Sequence, residues 1–279
     1  MLLEKIKFVN HLNECIDFGS NGIYINENDL HDYAWSYKSD GDRISQFTKG
    51  IVKKAIPIVI CCDSAEEGTE KRNKLLEICE KDVLAHEHGK IIIGDYYLRC
   101  FVTESKKEEY LKDKSYMKAT LTVISDYPQW VKESTVSFRV SGEVVGGEST
   151  KRNFDYNYDF PFDYMSQTKN KSLVNSGFVD TNFKLIIFGA VSNPTVYIAG
   201  HKYQINVDVG ENEYITIDSM SKTITLTRYN GETVNVFNKR CRDSYVFQKI
   251  PAGSNIVGWN NTFGFDIILL DERSEPKWT

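Results

Sequence analysis

From residue 183 to residue 270 the chain is a series of short β-type runs broken by turn residues, with no convincing helical period anywhere in it. The runs cover residues 183–188, 195–198, 203–207, 214–217, 223–227, 233–237 and 263–270. Asn193-Pro194, Gly200, Val209-Gly210 and Asn230-Gly231 stand between them. Strands this short and this frequent bury an apolar face by packing sheet on sheet, so the pattern predicts a sandwich or jelly roll. Asn230-Gly231 is the strongest single mark, a two-residue hairpin turn with strand patterns on both sides.

The first half reads differently, because it contains one well-written helix. Ser64 and Glu67 form a Ser-x-x-Glu capping box, which predicts a helix start. Leu75, Leu76, Cys79, Val83 and Leu84 then recur at helical spacing as one apolar stripe. Glu66 and Glu67 at its start and His86 and His88 at its end suit the helix dipole, and Gly89 is expected to stop it. Around the helix, Asn21-Gly22 predicts a tight hairpin between residues 14–18 and 23–25. Residues 51–60 form an extended run in which Pro57 must lie at an edge or bulge. Residues 90–94 and 96–102 are strands separated by Gly94-Asp95, and residues 116–124 alternate with period two, as a half-buried strand does. Pro128 and Trp130 close this half.

The expected fold is therefore mainly β. An α+β domain over residues 1–135, with its helix on a sheet or open barrel, joins near residues 125–140 to an all-β sandwich over residues 136–279. At roughly 150 residues per domain, 279 residues fit that division. An aromatic content of 13%, with 16 Tyr and 15 Phe, suits pleated surfaces. The chain has 34 Lys and Arg against 39 Asp and Glu, a formal charge of −5, which argues against nucleic-acid binding driven by bulk charge.

The opening residues Met1–Val9 alternate charge with apolar side chains, which does not read as a secretory signal. The longest apolar runs, residues 56–62 and 267–270, fall far short of the ~20 residues that span a bilayer. The expectation is a chain made in a cytoplasm and not inserted in a membrane.

Chemistry-bearing motifs are scarce. Neither of the usual glycine-rich phosphate loops is present, nor G-x-S-x-G or H-E-x-x-H. His86-Glu87-His88 is the nearest thing to a metal cluster, but residues two apart on a helix face apart, and cations at a helix C-terminus explain the pair better. His11, His31 and His201 stand apart from any constellation. The cysteines at positions 15, 61, 62, 79, 100 and 241 form no Cys-x-x-Cys pair and read as small buried hydrophobes. Asn170-Lys171-Ser172 and Asn260-Asn261-Thr262 match the glycosylation pattern by chance, given a chain without a secretory signal. The aromatic–acidic stretch at 154–164 reads either as a sugar- or partner-clamping loop or as a seal on a sandwich edge. No catalytic residue, metal ligand, cofactor or cofactor-binding residue is assigned, and the chain is read as no enzyme.

The second half resembles a known family. Asn193-Pro194-Thr195-Val196-Tyr197-Ile198-Ala199-Gly200-His201-Lys202-Tyr203 is similar to the C-terminal domain of siphophage distal tail (Dit) proteins. So are Gly210-Glu211-Asn212-Glu213-Tyr214-Ile215-Thr216-Ile217-Asp218, Pro251-Ala252-Gly253-Ser254-Asn255 and the stretch from Asp271 to Trp278. Tyr158-Asp159-Phe160-Pro161-Phe162-Asp163-Tyr164 resembles the aromatic stretch that opens that domain, while the first half is similar in layout only. The resemblance implies a structural virion protein at the tail tip of a siphophage or prophage, made in the bacterial host cytoplasm. Its first domain would assemble into a hexameric ring continuing the tail tube. Its galectin-like second domain would hold a tail-associated lysin-like protein, receptor-binding proteins or cell-wall glycans. An acidic chain also suits a lumen through which DNA slides without sticking. The rival reading is a lectin-like module, because sandwiches of this type also bind sugars and a fold does not establish a function.

Overall fold

The computed structural model describes residues 4–20, 22–25, 27–110, 115–140 and 171–278. It forms two compact units. The first runs to Glu133 and takes back the chain from Asp271 onward, and the second is Ser134–Leu270.

The first unit contains β1 (Ile6–Val9), β2 (Cys15–Phe18), β3 (Ile23–Ile25), β4 (Ser36–Asp40), β5 (Arg43–Thr48), β6 (Val52–Cys61), helix α1 (Ala65–Ala85), β7 (Gly89–Ile93), β8 (Tyr96–Tyr110), β9 (Tyr116–Ser125) and the start of β10 (Trp130–Phe138). The strand β8 organises it. Its first part pairs with β7, which continues through β1 to β2, and with β10 at Leu98–Trp130. From Phe101 onward β8 pairs instead with β9, which continues through β6 to β3. The two sheets are open and share this one strand. Period-two alternation sends Ile56, Ile58 and Ile60 of β6 and Met117, Ala119, Leu121 and Val123 of β9 into a core that Leu75, Ile78 and Cys79 of α1 cover. Each such aliphatic side chain contributes about 1.5–3 kcal/mol by leaving water.

One local strand expectation for this unit changes in part. The turn predicted across Asn21-Gly22 closes through one antiparallel bridge, Ser20 to Ile23, with Gly19 N donating to Ile23 O at 2.7 Å, but the hairpin does not continue, since β2 pairs with β1 and β3 pairs with β6. Long-range partners take the strands beyond that bridge, and Asn21 lies outside the described residues. Pro57 lies one residue past the last β3 pair among the described residues, Ile25 opposite Ile58, and on its other side it pairs with Thr120 of β9.

The helix begins as its capping box specifies. Ser64 Oγ accepts from Glu67 N at 3.2 Å, and Glu67 Oε2 reaches back to Asp63 N at 3.4 Å. It ends earlier than predicted, at His86, which takes a left-handed conformation with φ 58°. Gly89 is needed for another reason. A Cβ there would lie 2.2 Å from Asp82 Oδ2 and 2.7 Å from the Phe8 ring. The inward face is Leu75, Ile78, Cys79 and the carboxylate Asp82, whereas Leu76 is 54% and Val83 40% exposed. Bringing Asp82 inward rolls the helix away from the stripe that hydrophobicity alone predicts.

The second unit carries β11 (Lys171–Asn175), β12 (Asn182–Phe188), β13 (Val191–Ser192), β14 (Thr195–Ile198), β15 (His201–Gln204), β16 (Asp208–Val209), β17 (Tyr214–Asp218), β18 (Thr223–Thr227), β19 (Thr233–Asn235), β20 (Gly253–Gly258) and most of β21 (Phe265–Arg273). The order β19-β18-β17-β12-β21 makes one antiparallel sheet, β11-β20-β14-β15 a second, and β13-β16 a small third. Leu185, Ile215, Ile217 and Ile267 from the first sheet share one core with Leu173, Val196, Ile198 and Val257 from the second. This is the sheet-on-sheet packing that the turn spacing predicts. At Asn230-Gly231 the hairpin forms with a longer loop than expected. Arg228 N bonds Glu232 O, leaving three loop residues, and Gly231 takes the left-handed position with φ 84°.

Candidate assembly surfaces

The strands β4 and β5 pair with each other and with nothing else among the described residues. In this ribbon Tyr37 lies opposite Phe47, and Ser39 opposite Ile44. Regular pairing would put Ile44 and Phe47 on opposite faces, since they are three residues apart. The register slip between Lys38 and Ser39 absorbs Ser45 as a bulge and returns Ile44 to the Tyr37–Phe47 face. Trp35, two residues before Tyr37, continues that row. All four are between 46% and 64% exposed, while the opposite face carries Ser36, Lys38, Asp40, Arg43, Gln46 and Thr48. The ribbon is amphipathic, with its apolar side uncovered.

A lysine at the base of the ribbon fixes it to the body of the unit. Lys49 Nζ sits 4.5 Å from the centre of the Trp35 ring and donates to Ser274 Oγ at 2.8 Å and Gln129 Oε1 at 3.2 Å. Beside it, Lys54 points inward on β6 in the row of Ile56 and Ile58. Its ammonium donates to the carbonyl oxygens of Asp29 at 2.7 Å and Asp32 at 2.5 Å. Burial lowers the pKa of both lysines. The charge of Lys54 adds to the effect on Lys49, while Asp32 and Asp29 oppose it on Lys54. The returning strap ends with Pro276 buried and the Trp278 ring stacked on His31 at 3.9 Å.

A second apolar surface lies between α1 and the outer parts of β8 and β9. Leu76, Cys79, Val83, Val102, Met117 and Leu121 line a groove of about 220 Å³, with Arg72, Glu80, Glu104 and Lys107 at its rim.

The residues singled out by sequence have other tasks. The His86 and His88 rings flank Phe101, with centroids at 6.0 and 4.5 Å, and His88 Nε2 lies 3.0 Å from Asp126. Neither is in the last turn of the helix, so the predicted dipole role does not hold. Among the described residues no group of three or more His, Cys, Asp or Glu is placed to hold a metal ion. His11 pairs with Asp82, His31 with Glu4, and His201 Nε2 lies 2.9 Å from Tyr245 O. Cys79, Cys100 and Cys241 are buried as expected, but Cys15 and Cys61 are exposed and Cys62 is half-buried. Burial pushes the Cys79 thiol up to about 12 and that of Cys100 higher still. In the Asn260-Asn261-Thr262 match, Asn260 Oδ1 is engaged by Thr262 Oγ1 at 2.8 Å. Asn170 and the aromatic stretch 154–164 lie outside the described residues. Sequence reading missed the ribbon, although Asp40-Gly41 between polar–apolar alternations is a hairpin signal.

No family model matches the chain, and no curated protein does. Solved structures do. A chain of the phage P2 baseplate in its activated conformation with calcium superposes with a TM-score of 0.67 at 12% identity, covering 99% of this chain and 100% of that one. The corresponding phage p2 baseplate structure with strontium gives 0.65 at 13% identity, over 98% and 100%. The Dit protein of SPP1, described as a paradigm of the hub adsorption apparatus in phages infecting Gram-positive bacteria, gives 0.55 at 10% identity, over 96% and 98%. This is the fold of phage baseplate and Dit hub proteins. The match runs the length of both chains, so both units belong to the Dit-type fold, and the surfaces described above lie on its first unit. Among the described residues no helix is long and apolar enough to cross a membrane.

Proposed function

We propose that this protein is a structural, non-catalytic component of a phage tail tip, a distal hub whose copies assemble as a hexameric ring between the tail tube and the tip apparatus. The observation that carries this reading is the end-to-end likeness to baseplate and Dit hub chains. In this reading residues 1–135 make the ring. Residues 136–279, apart from the strap that returns to the first unit, form the domain that holds tip parts. The partners are further copies of the chain, a tail tube protein, a lysin-like tail-tip protein, and receptor-binding proteins or cell-wall glycans. The uncovered apolar row of the ribbon supports assembly, because monomers rarely leave such a face bare.

The test is the mass of the full-length protein across a wide concentration range, alone and mixed with tail tube protein, followed by negative-stain microscopy. Six-fold rings are expected. A monomer under every condition would overturn the ring. The lectin alternative is separated by glycan-array binding of the full chain, which the hub reading does not require.

A further inference from the structure

We propose that the apolar row of the β4–β5 ribbon of one copy seats in the α1–β8–β9 groove of a second copy, with one aromatic ring of the ribbon filling the groove. The inference rests on the assembly reading above and names the contact that makes it.

The argument begins with the ribbon. A two-stranded hairpin is marginal in water by itself. This one leaves Trp35, Tyr37, Ile44 and Phe47 about half exposed or more, with a bulge that gathers them on one side. Its base is tied through Lys49 to Gln129 and Ser274, none of which lines the groove. The apolar row stays exposed in its own chain, so the ribbon does not fill its own groove.

The groove fits such an occupant. A cavity of about 150 Å³ holds one benzene ring, and this groove offers about 220 Å³ between apolar walls. Leu76 and Val83, exposed on its helix side, are the side chains an aromatic ring would cover. Charge is compatible. The rim is balanced in sign, Arg72 and Lys107 against Glu80 and Glu104, and Lys38, Asp40 and Arg43 lie on the ribbon face turned away from it, so no net repulsion opposes the contact.

Area sets the strength. The four ribbon side chains expose on the order of 400–500 Å² of mostly apolar surface. With a similar area from the groove, the contact approaches the ~1,000 Å² at which specific interfaces begin. A single contact is therefore weak. Because ribbon and groove are different patches of one chain, the contact is head-to-tail and leaves a free ribbon and a free groove at the ends, so it propagates, and it ends in a ring when the rotation between copies closes.

The test uses the full chain. Phe47→Asp on the ribbon and Leu76→Asp on the groove should each weaken self-association at least tenfold in sedimentation velocity, with unchanged far-UV circular dichroism. Mixing the two should restore only one-to-one pairs. In a Cys15→Ser, Cys61→Ser background, Phe47→Cys with Leu76→Cys should give an inter-chain disulfide ladder under mild oxidation. Wild-type-like assembly by both Asp variants, without a ladder, would overturn this contact and leave the ring standing. A wild-type chain that never self-associates, with no ladder, would overturn both.

Discussion

His11 Nδ1 lies 2.6 Å from Asp82 Oδ1, a carboxylate oxygen on the inward face of α1 in a side chain with no exposure at all. The same oxygen accepts the backbone N–H of His11 at 2.9 Å, so the loop after β1 is held to the helix by two contacts on one atom. Asp82→Ala removes both contacts and leaves the His11 backbone N–H without its partner. A loss of about 2–4 kcal/mol is expected from urea unfolding. Asp82→Asn, which keeps an acceptor oxygen, should lose clearly less.

Lys54 gives a pH-dependent prediction. Its pKa in the folded chain is lowered by burial, so the unfolded state binds more protons in the alkaline range. Stability therefore rises with pH from the lowered folded value toward the ordinary lysine range. Lys54→Met lacks this proton uptake. The stability of wild type relative to Lys54→Met should increase between neutral pH and about pH 10, measured by denaturant midpoints. A flat difference would show that the charged form is not penalised in the fold.

Ala199 occupies a left-handed position, φ 50°, in the two-residue loop that joins β14 to β15. A Cβ is costly there. Ala199→Gly should stabilise the chain by about 0.5–1 kcal/mol, seen as a higher melting temperature.

Thiol reactivity should divide the cysteines. Cys15 and Cys61 are exposed and should react quickly with a charged thiol reagent in the native state, while Cys79, with its thiol pushed to about 12, and Cys100 should react only after unfolding. Peptide mapping of the labelled protein reads this directly.

What the sequence shows and what it hides divides along the range of the interactions. Ser64 and Glu67 mark a helix start because the cap is closed within four residues, and Gly94-Asp95 joins β7 to β8 as read because a hairpin is local. Locally, Trp130 reads as the end of a segment, but it begins β10, since its partner Leu98 is far away in the chain. β11 and β20 do not declare themselves locally either, because Lys171–Asn175 is half polar and Gly253–Gly258 opens Gly-Ser-Asn and ends on Gly, so only their pairing shows them as strands. In the site, Lys54 sits in the alternate row of Ile56, Ile58 and Ile60, so its inward direction was legible; the carbonyl oxygens of Asp29 and Asp32 that accept from it were not. The ribbon was legible at Asp40-Gly41, but its amphipathic character depends on a bulge that no local signal announces.

The strand β8 leaves one sheet after Cys100, which faces Gly89, and enters the next at Phe101, which faces Ile124, with no loop between. A pull on either sheet is thus carried to the other through covalent backbone, not through side chains that can slide. To shear the sheets apart, a row of backbone hydrogen bonds must rupture together, much as a seam resists when pulled along its length and yields only when peeled from an end.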